Sequence, residues 1–183
     1  LPDQSKAVRF EEIALPHLGA AYNLARWLLH NEHDAEDVVQ EAYLRALKSF
    51  SGYYGGDSRS WLMTIVRNTC YTWLQKNRAL RLSDPIEEKL DEVGLDFADP
   101  EMILLQSADS QMVRQALQEL PLEFREVMVL REMEDLSYKE IADIVDVPIG
   151  TVMSRLARGR KRLQALLAKH MGKEARIELP RNA

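Results

Sequence analysis

The sequence predicts an all-α protein: two small helical domains joined by a flexible acidic linker, the C-terminal one a helix-turn-helix. Three observations carry this reading. Apolar residues recur at helical spacing almost throughout, and strand-like alternation is absent. A strongly acidic stretch without periodicity separates two periodic halves. Near the end, two short amphipathic segments flank Asp146-Val147-Pro148, a tight turn. A chain of 183 residues with 46% hydrophobic residues can bury one large core or two small ones.

Taken in order, Phe10, Ile13 and Ala14 open an amphipathic stretch that Pro16 breaks, and Leu18, Ala21, Leu24, Ala25 and Leu28 resume it. Asp34 reads as an N-cap, with Asp37 at the capping-box position. Its helix carries Ala35, Val38, Val39, Ala42, Tyr43, Ala46, Leu47 and Phe50 on one side. Ser51 to Asp57 is Gly-rich and reads as a loop. A helix from Ser60 to Asn77 follows, with Trp61, Leu62, Ile65, Val66, Trp73 and Leu74 inward. These elements make a first domain over residues 1–81, and 82–98 reads as the linker. Asp99-Pro100 signals an N-cap with proline at the first helical position, and that helix ends at Pro121. A second helix spans Leu122 to Glu132. Ser137-x-x-Glu140 is a capping box opening a third, Tyr138 to Val145, and a last helix runs from Ile149 to His170. The second domain is 99–171, and 172–183 reads as a frayed tail.

The net charge of −5, from 24 basic and 29 acidic residues, argues as an average against a nucleic-acid partner. Its layout argues the other way. From Arg59 to Arg81 there are five basic residues and no acidic one; from Ile149 to Ala183 there are nine basic and two acidic. Between them, Asp84 to Glu101 holds eight acidic residues and only Lys89. Glu32, Asp34, Glu36, Asp37 and Glu41 form a further acidic cluster.

The last helix carries Arg155, Arg158, Arg160, Lys161 and Arg162 behind a helix-turn-helix turn. Its early positions Thr151, Ser154, Arg155 and Arg158 suit base edges in the major groove, where Arg bonds guanine bidentately. Arg160, Lys161 and Arg162 suit phosphates. The outer face of the Ser60–Asn77 helix offers Ser60, Thr64, Arg67, Asn68, Tyr71, Thr72 and Gln75 without a carboxylate. That chemistry fits opened or single-stranded nucleic acid. The loop before it puts Tyr53 and Tyr54 on a glycine-rich backbone, where a flipped base could stack. Asp37, Gln40 and Glu41 share a polar helix face; like charges at that spacing cost a few tenths of a kcal/mol, which points to a basic partner protein.

Other classes find less support. No apolar run is long enough to span a membrane, and no signal stretch opens the chain, so a cytoplasmic protein is expected. The start at Leu1 without methionine implies a trimmed or processed terminus. One cysteine, Cys70, forms no disulfide framework and reads as a buried thiol. His30-x-x-His33 beside Asp34 and Asp37 lacks a third convergent ligand, so no metal or cofactor is expected. No nucleophile–base pattern or phosphate-binding glycine loop marks an enzyme.

Two motifs bring a resemblance. Asp34-Ala-Glu-Asp-Val-Val-Gln-Glu-Ala-Tyr-Leu-Arg-Ala, then Trp61-Leu-x-x-Ile-Val-Arg-Asn, resembles region two of bacterial sigma factors. Leu120-Pro-Leu-Glu-Phe-Arg-Glu-Val-Met-Val-Leu-Arg, Leu136-Ser-Tyr-Lys-Glu-Ile-Ala and Val147-Pro-Ile-Gly-Thr-Val-Met-Ser-Arg-Leu-Ala-Arg-Gly-Arg resemble region four. With those two regions alone, Phe10 to Leu167 resembles the extracytoplasmic-function group of the sigma-70 family. The resemblance implies a subunit that binds core RNA polymerase, through its beta-prime clamp helices and beta flap, and directs it to promoter DNA. It implies core docking by Asp37, Gln40 and Glu41. It implies minus-ten recognition and melting by the Ser51–Arg59 loop, with Tyr53, Tyr54 and Arg59, and by Arg67, Asn68, Tyr71, Lys76 and Arg78. It implies minus-thirty-five recognition by Thr151, Met153, Ser154, Arg155 and Arg158, backed by Arg160, Lys161 and Arg162. It also implies an anti-sigma factor as a further partner, and a linker that threads toward the polymerase cleft. Catalysis would belong to the polymerase. The main alternative is a helix-turn-helix transcription regulator that is no polymerase subunit.

Overall fold

The computed structural model describes residues 2–83 and 108–177, with side chains over 5–78 and 110–172. Among the described residues all regular structure is helical. The elements are α1 (Pro2–Ala14), α2 (Leu18–Leu29), α3 (Glu32–Ser49), α4 (Ser58–Ser83), α5 (Ala108–Glu119), α6 (Leu122–Met128), α7 (Tyr138–Val145) and α8 (Ile149–Ile177). The expected N-cap at Asp99-Pro100, the linker over 84–98 and the last six tail residues, 178–183, lie outside the described residues.

Local chemistry sets most of the boundaries. Pro16 sits in a 3-10 turn, Leu15–His17, that separates α1 from α2. The cap of α3 differs from expectation: Asn31, not Asp34, is the N-cap, and its side chain accepts the Asp34 N–H at 3.0 Å. Asn31 has the extended backbone a cap needs, and Glu32 and Asp34 then add negative charge to the first turn. Asp57 starts α4 by accepting the N–H groups of Arg59 and Ser60 at 3.1 and 3.3 Å. α4 then runs beyond Asn77, to Ser83.

In the second half, α6 does not continue regularly to Glu132. It stops at Met128 and passes into a π-turn, Val129–Met133, closed by Glu134 N–H on the Val129 carbonyl at 3.2 Å. α7 begins and ends as expected. Ser137 and Glu140 make the reciprocal capping box, at 3.2 and 2.7 Å. Asp146 ends α7 in the left-handed region (φ 54°), a backbone state Asp tolerates. α8 is longer than expected: the stretch from Gly172, read as frayed, stays helical to Ile177.

α2, α3 and α4 pack on one another, with α1 laid across α3 and α4. α8 packs on α5, α6 and α7. Gly159 permits the α6–α8 approach; a Cβ there would lie 3.2 Å from Met128 Cγ and 3.4 Å from Phe124 Cβ. The two groups of helices also meet, through α4 on α7 and α2 on α6. One buried cluster therefore draws on both, running from Leu24, Leu28, Val38, Met63 and Val66 to Leu130, Ile141, Ile144 and Leu156. A satellite cluster of Phe10, Ala14, Ala46, Phe50 and Leu62 sits under the Tyr53 loop.

Candidate nucleic-acid interface

The loop between α3 and α4 separates its two tyrosines. Tyr53 stacks on Phe50 at 5.9 Å between ring centroids, leans on Trp61 at 4.8 Å, and donates its hydroxyl to the Gly56 carbonyl at 2.9 Å. It anchors the loop. Tyr54 is 96% exposed and bonds to nothing described. Gly55 and Gly56 follow at φ 99° and 103°, a conformation that a side chain would strain.

α4 presents two kinds of polar residue. Asn68, Thr72, Gln75, Lys76 and Arg78 are exposed. Arg67, Tyr71 and Arg59 are half-buried and turned toward the second half. Arg67 donates through Nε and Nη2 to the Glu126 carboxylate at 3.0 and 3.3 Å, and its guanidinium lies 3.8 Å from the Tyr71 ring centre. Burial, then the nearby Glu126 charge, pushes the Tyr71 hydroxyl up to about 12. Arg59 donates to the Glu134 carbonyl at 2.7 Å and its carboxylate at 3.3 Å. Cys70 is wholly buried beside them, and burial pushes its thiol up to about 12.

The α3 face holds Asp37, Gln40 and Glu41 exposed together. Leu44, 59% exposed, extends the same stripe, and Arg45 pairs with Glu41. Pattern reading passes over Leu44, although its place one turn after Glu41 marks it. On α8 the exposed stripe is Met153, Ser154, Ala157, Arg158 and Lys161. Arg158 and Lys161 have no ion-pair partner among the described residues. Three further arginines of the helix are engaged. Arg155 lies 3.4 Å from Glu126 and 3.8 Å from Glu123. Arg160 bonds Glu132 at 2.7 Å, and Arg162 sits 4.8 Å over the Phe124 ring. Thr151 is half-buried in the first turn of the helix.

Three residues that pattern reading misses organise this surface. Glu126 is a fully buried carboxylate in an apolar run, a signal present in Phe124-Arg-Glu-Val-Met-Val-Leu. Glu134 is the C-cap of the π-turn and follows it directly. Arg125 is buried and donates to the Gln118 and Leu120 carbonyls at 2.7 and 3.0 Å, closing the end of α5; burial pulls its guanidinium down to about 10. Among the described residues no group of three or more His, Cys, Asp or Glu could hold a metal ion, and no helix is long and apolar enough to cross a membrane.

An anchored loop with one projecting tyrosine, a polar helix behind it and a helix-turn-helix thus lie on one chain. In comparison with known proteins, residues 14–80 match sigma-70 region 2 and residues 110–163 match sigma-70 region 4. The ECF RNA polymerase sigma factor SigE of Mycolicibacterium smegmatis is 36% identical over 173 residues, covering 94% of this chain and 67% of that protein. The RNA polymerase sigma-H factor of Pseudomonas aeruginosa is 34% identical, covering 86% and 88%. Among solved structures, the sigma factor RpoE bound to the anti-sigma factor NepR from Bartonella quintana aligns with a TM-score of 0.72 at 30% identity, covering 87% of this chain and 97% of that one. The complex of CnrH with the cytosolic domain of CnrY aligns at 0.61 and 25%, covering 87% and 88%. The chain belongs to the extracytoplasmic-function group of the sigma-70 family. It is an alternative RNA polymerase sigma factor, directing transcription initiation from specific promoters, and the free-standing regulator is not favoured.

Proposed function

We propose that the division of labour follows the exposed faces. Residues 1–81 dock on core polymerase and melt the minus-ten element, 99–171 read the minus-thirty-five element, and 82–98 tether them. The observation that carries this is the separation of three surfaces of different chemistry. α3 presents Asp37, Gln40 and Glu41 with Leu44 at their edge, an acidic patch with an apolar foot suited to a basic helical partner. Tyr54 projects as a stacking group, with Asn68, Lys76 and Arg78 along the same helix to meet bases and phosphates. Met153, Ser154 and Arg158 line the outward stripe of α8 for the major groove, with Lys161 one turn on for a phosphate. Thr151, Arg155, Arg160 and Arg162 belong to the same DNA surface. The three arginines reach it by exchanging their present partners for phosphates.

The polymerase supplies the chemistry, so the chain needs no catalytic residue or cofactor of its own, and it works in the cytoplasm. The sigma factor RpoE was solved with the anti-sigma factor NepR, and CnrH with the cytosolic domain of CnrY. That likeness supports a comparable anti-sigma partner for this chain. Binding of the full chain to core polymerase tests the docking face. Asp37→Ala with Glu41→Ala weakens the complex while the helical content holds; unchanged affinity removes that face from the interface.

A further inference from the structure

Arg59 and Arg67 are engaged by carboxylates of the other half, and a role for this pairing in DNA binding rests on the assignment of both arginines to the promoter that the family resemblance implies. They lie eight positions apart on α4, about two turns or ~12 Å along the helix. Each meets a carboxylate from the second half. Glu126 takes two bonds from Arg67, at 3.0 and 3.3 Å. Glu134 takes Arg59 on its carbonyl at 2.7 Å and on its carboxylate at 3.3 Å, and Asn23 Nδ2 donates to the same carboxylate at 2.6 Å.

These carboxylates are built into their positions. Glu126 is 0% exposed, and a charge without water is held there only by its partners. Those partners are Arg67 and Tyr71 from the first half and Arg155 from its own. Glu134 comes directly after the π-turn, whose extra residue carries its carbonyl and side chain to α4 together. A guanidinium fork fits a carboxylate and a phosphate alike. The contact therefore presents α4 with two anions of the kind a nucleic-acid strand would offer.

We propose that Glu126 and Glu134 act as internal stand-ins for DNA phosphates, so that the second half and a nucleic-acid strand compete for the same face of α4. In the closed chain the strand-facing arginines are satisfied, and a strand gains them only as the halves part. The competition is reciprocal: whatever opens the contact strengthens strand binding, and a bound strand favours opening. α8 is exempt, because Arg158 and Lys161 stay exposed in the closed chain.

The test uses the full chain and a fluorescein-labelled single-stranded DNA of twelve mixed-sequence nucleotides, read by anisotropy, with small-angle scattering for compaction. Glu126→Gln and Glu134→Gln each remove one anion and keep the side-chain shape. The expected result is tighter strand binding by about tenfold for Glu126→Gln, with an expanded chain, and a loss of that gain once Arg67→Ala is added. A well-folded Glu126→Gln chain with unchanged affinity overturns the proposal, as does a gain that survives Arg67→Ala. If Glu126→Gln fails to fold, Glu134→Gln with and without Arg59→Ala decides in the same way. The assignment of Arg67 to promoter DNA is tested apart, by transcription from polymerase carrying Arg67→Ala. Undiminished transcription sinks that assignment, whereas reduced transcription beside an unresponsive Glu126→Gln sinks only the competition.

Discussion

α4 and α8 are both helices with an excess of basic residues, and the fold treats them oppositely. α4 spends Arg59 and Arg67 on carboxylates of the other half and buries its root in a core shared with α7. α8 spends Arg155 and Arg160 within its own half and leaves Met153, Ser154, Arg158 and Lys161 outward. A basic helix is therefore not a DNA surface by charge alone; what matters is which cations have already been neutralised. The same contrast explains the charge layout. Glu123 to Pro148 carries eight acidic and three basic residues, and two of those acids, Glu126 and Glu134, face α4. Part of the acidic average is the complement of the first basic block.

The shared core is the largest effect to test. Met63→Ala on α4 and Leu156→Ala on α8 each remove a fully buried side chain of the shared cluster and should cost about 2–5 kcal/mol. Both should lower a single thermal transition, because the halves share one apolar cluster. Two transitions, each moved by only one substitution, would break the comparison into independent parts.

The next effect sharpens α8. Arg158→Ala should cost about 1–3 kcal/mol in promoter binding by the holoenzyme and relax selectivity at one base pair. Equal loss on all sequences would make Arg158 a phosphate contact. Lys161→Ala should weaken binding uniformly and reduce the salt slope by about one; an unchanged slope would remove it from the backbone.

The last effect lies at the seam and appears only as the pH is lowered. His30 caps α2 in the left-handed region (φ 59°), and burial, then the nearby Arg125 charge, pulls its imidazole from the usual 6.5 to about 4. The unfolded chain takes up this proton first, so the contribution is complete above pH 6.5 and is lost as the pH falls toward about 4. Stability from denaturant titrations across that window should depend less steeply on pH for His30→Gln than for the parent; identical pH slopes would acquit His30.

Most elements can be read from the residues, because they obey local rules. The Ser137 capping box, the Asp146 turn and the periodic apolar faces of α3 and α7 need only neighbours in sequence. The cap of α3 is easily misplaced because several polar residues compete there, and backbone geometry selects Asn31. The exposed stripe of α8 is half readable: Arg155 and Arg158 look equivalent in sequence, yet Glu123 and Glu126 hold the first and not the second. The seam is not readable. It pairs residues 59 positions apart for Arg67–Glu126 and 75 for Arg59–Glu134, and only the π-turn and the docking of α4 on α7 bring them together.

Withdrawal of α4 in the free chain, and its release on polymerase, can be met most directly by one distance. Pulsed electron paramagnetic resonance measures it between spin labels at Lys76→Cys and Lys161→Cys. Both sites are exposed, and Cys70 is too buried to take a label. Withdrawal requires one narrow distribution in the free chain and a shift to longer distances when core polymerase is added. A distribution that is already broad in the free chain, or one that core polymerase leaves unchanged, would contradict it.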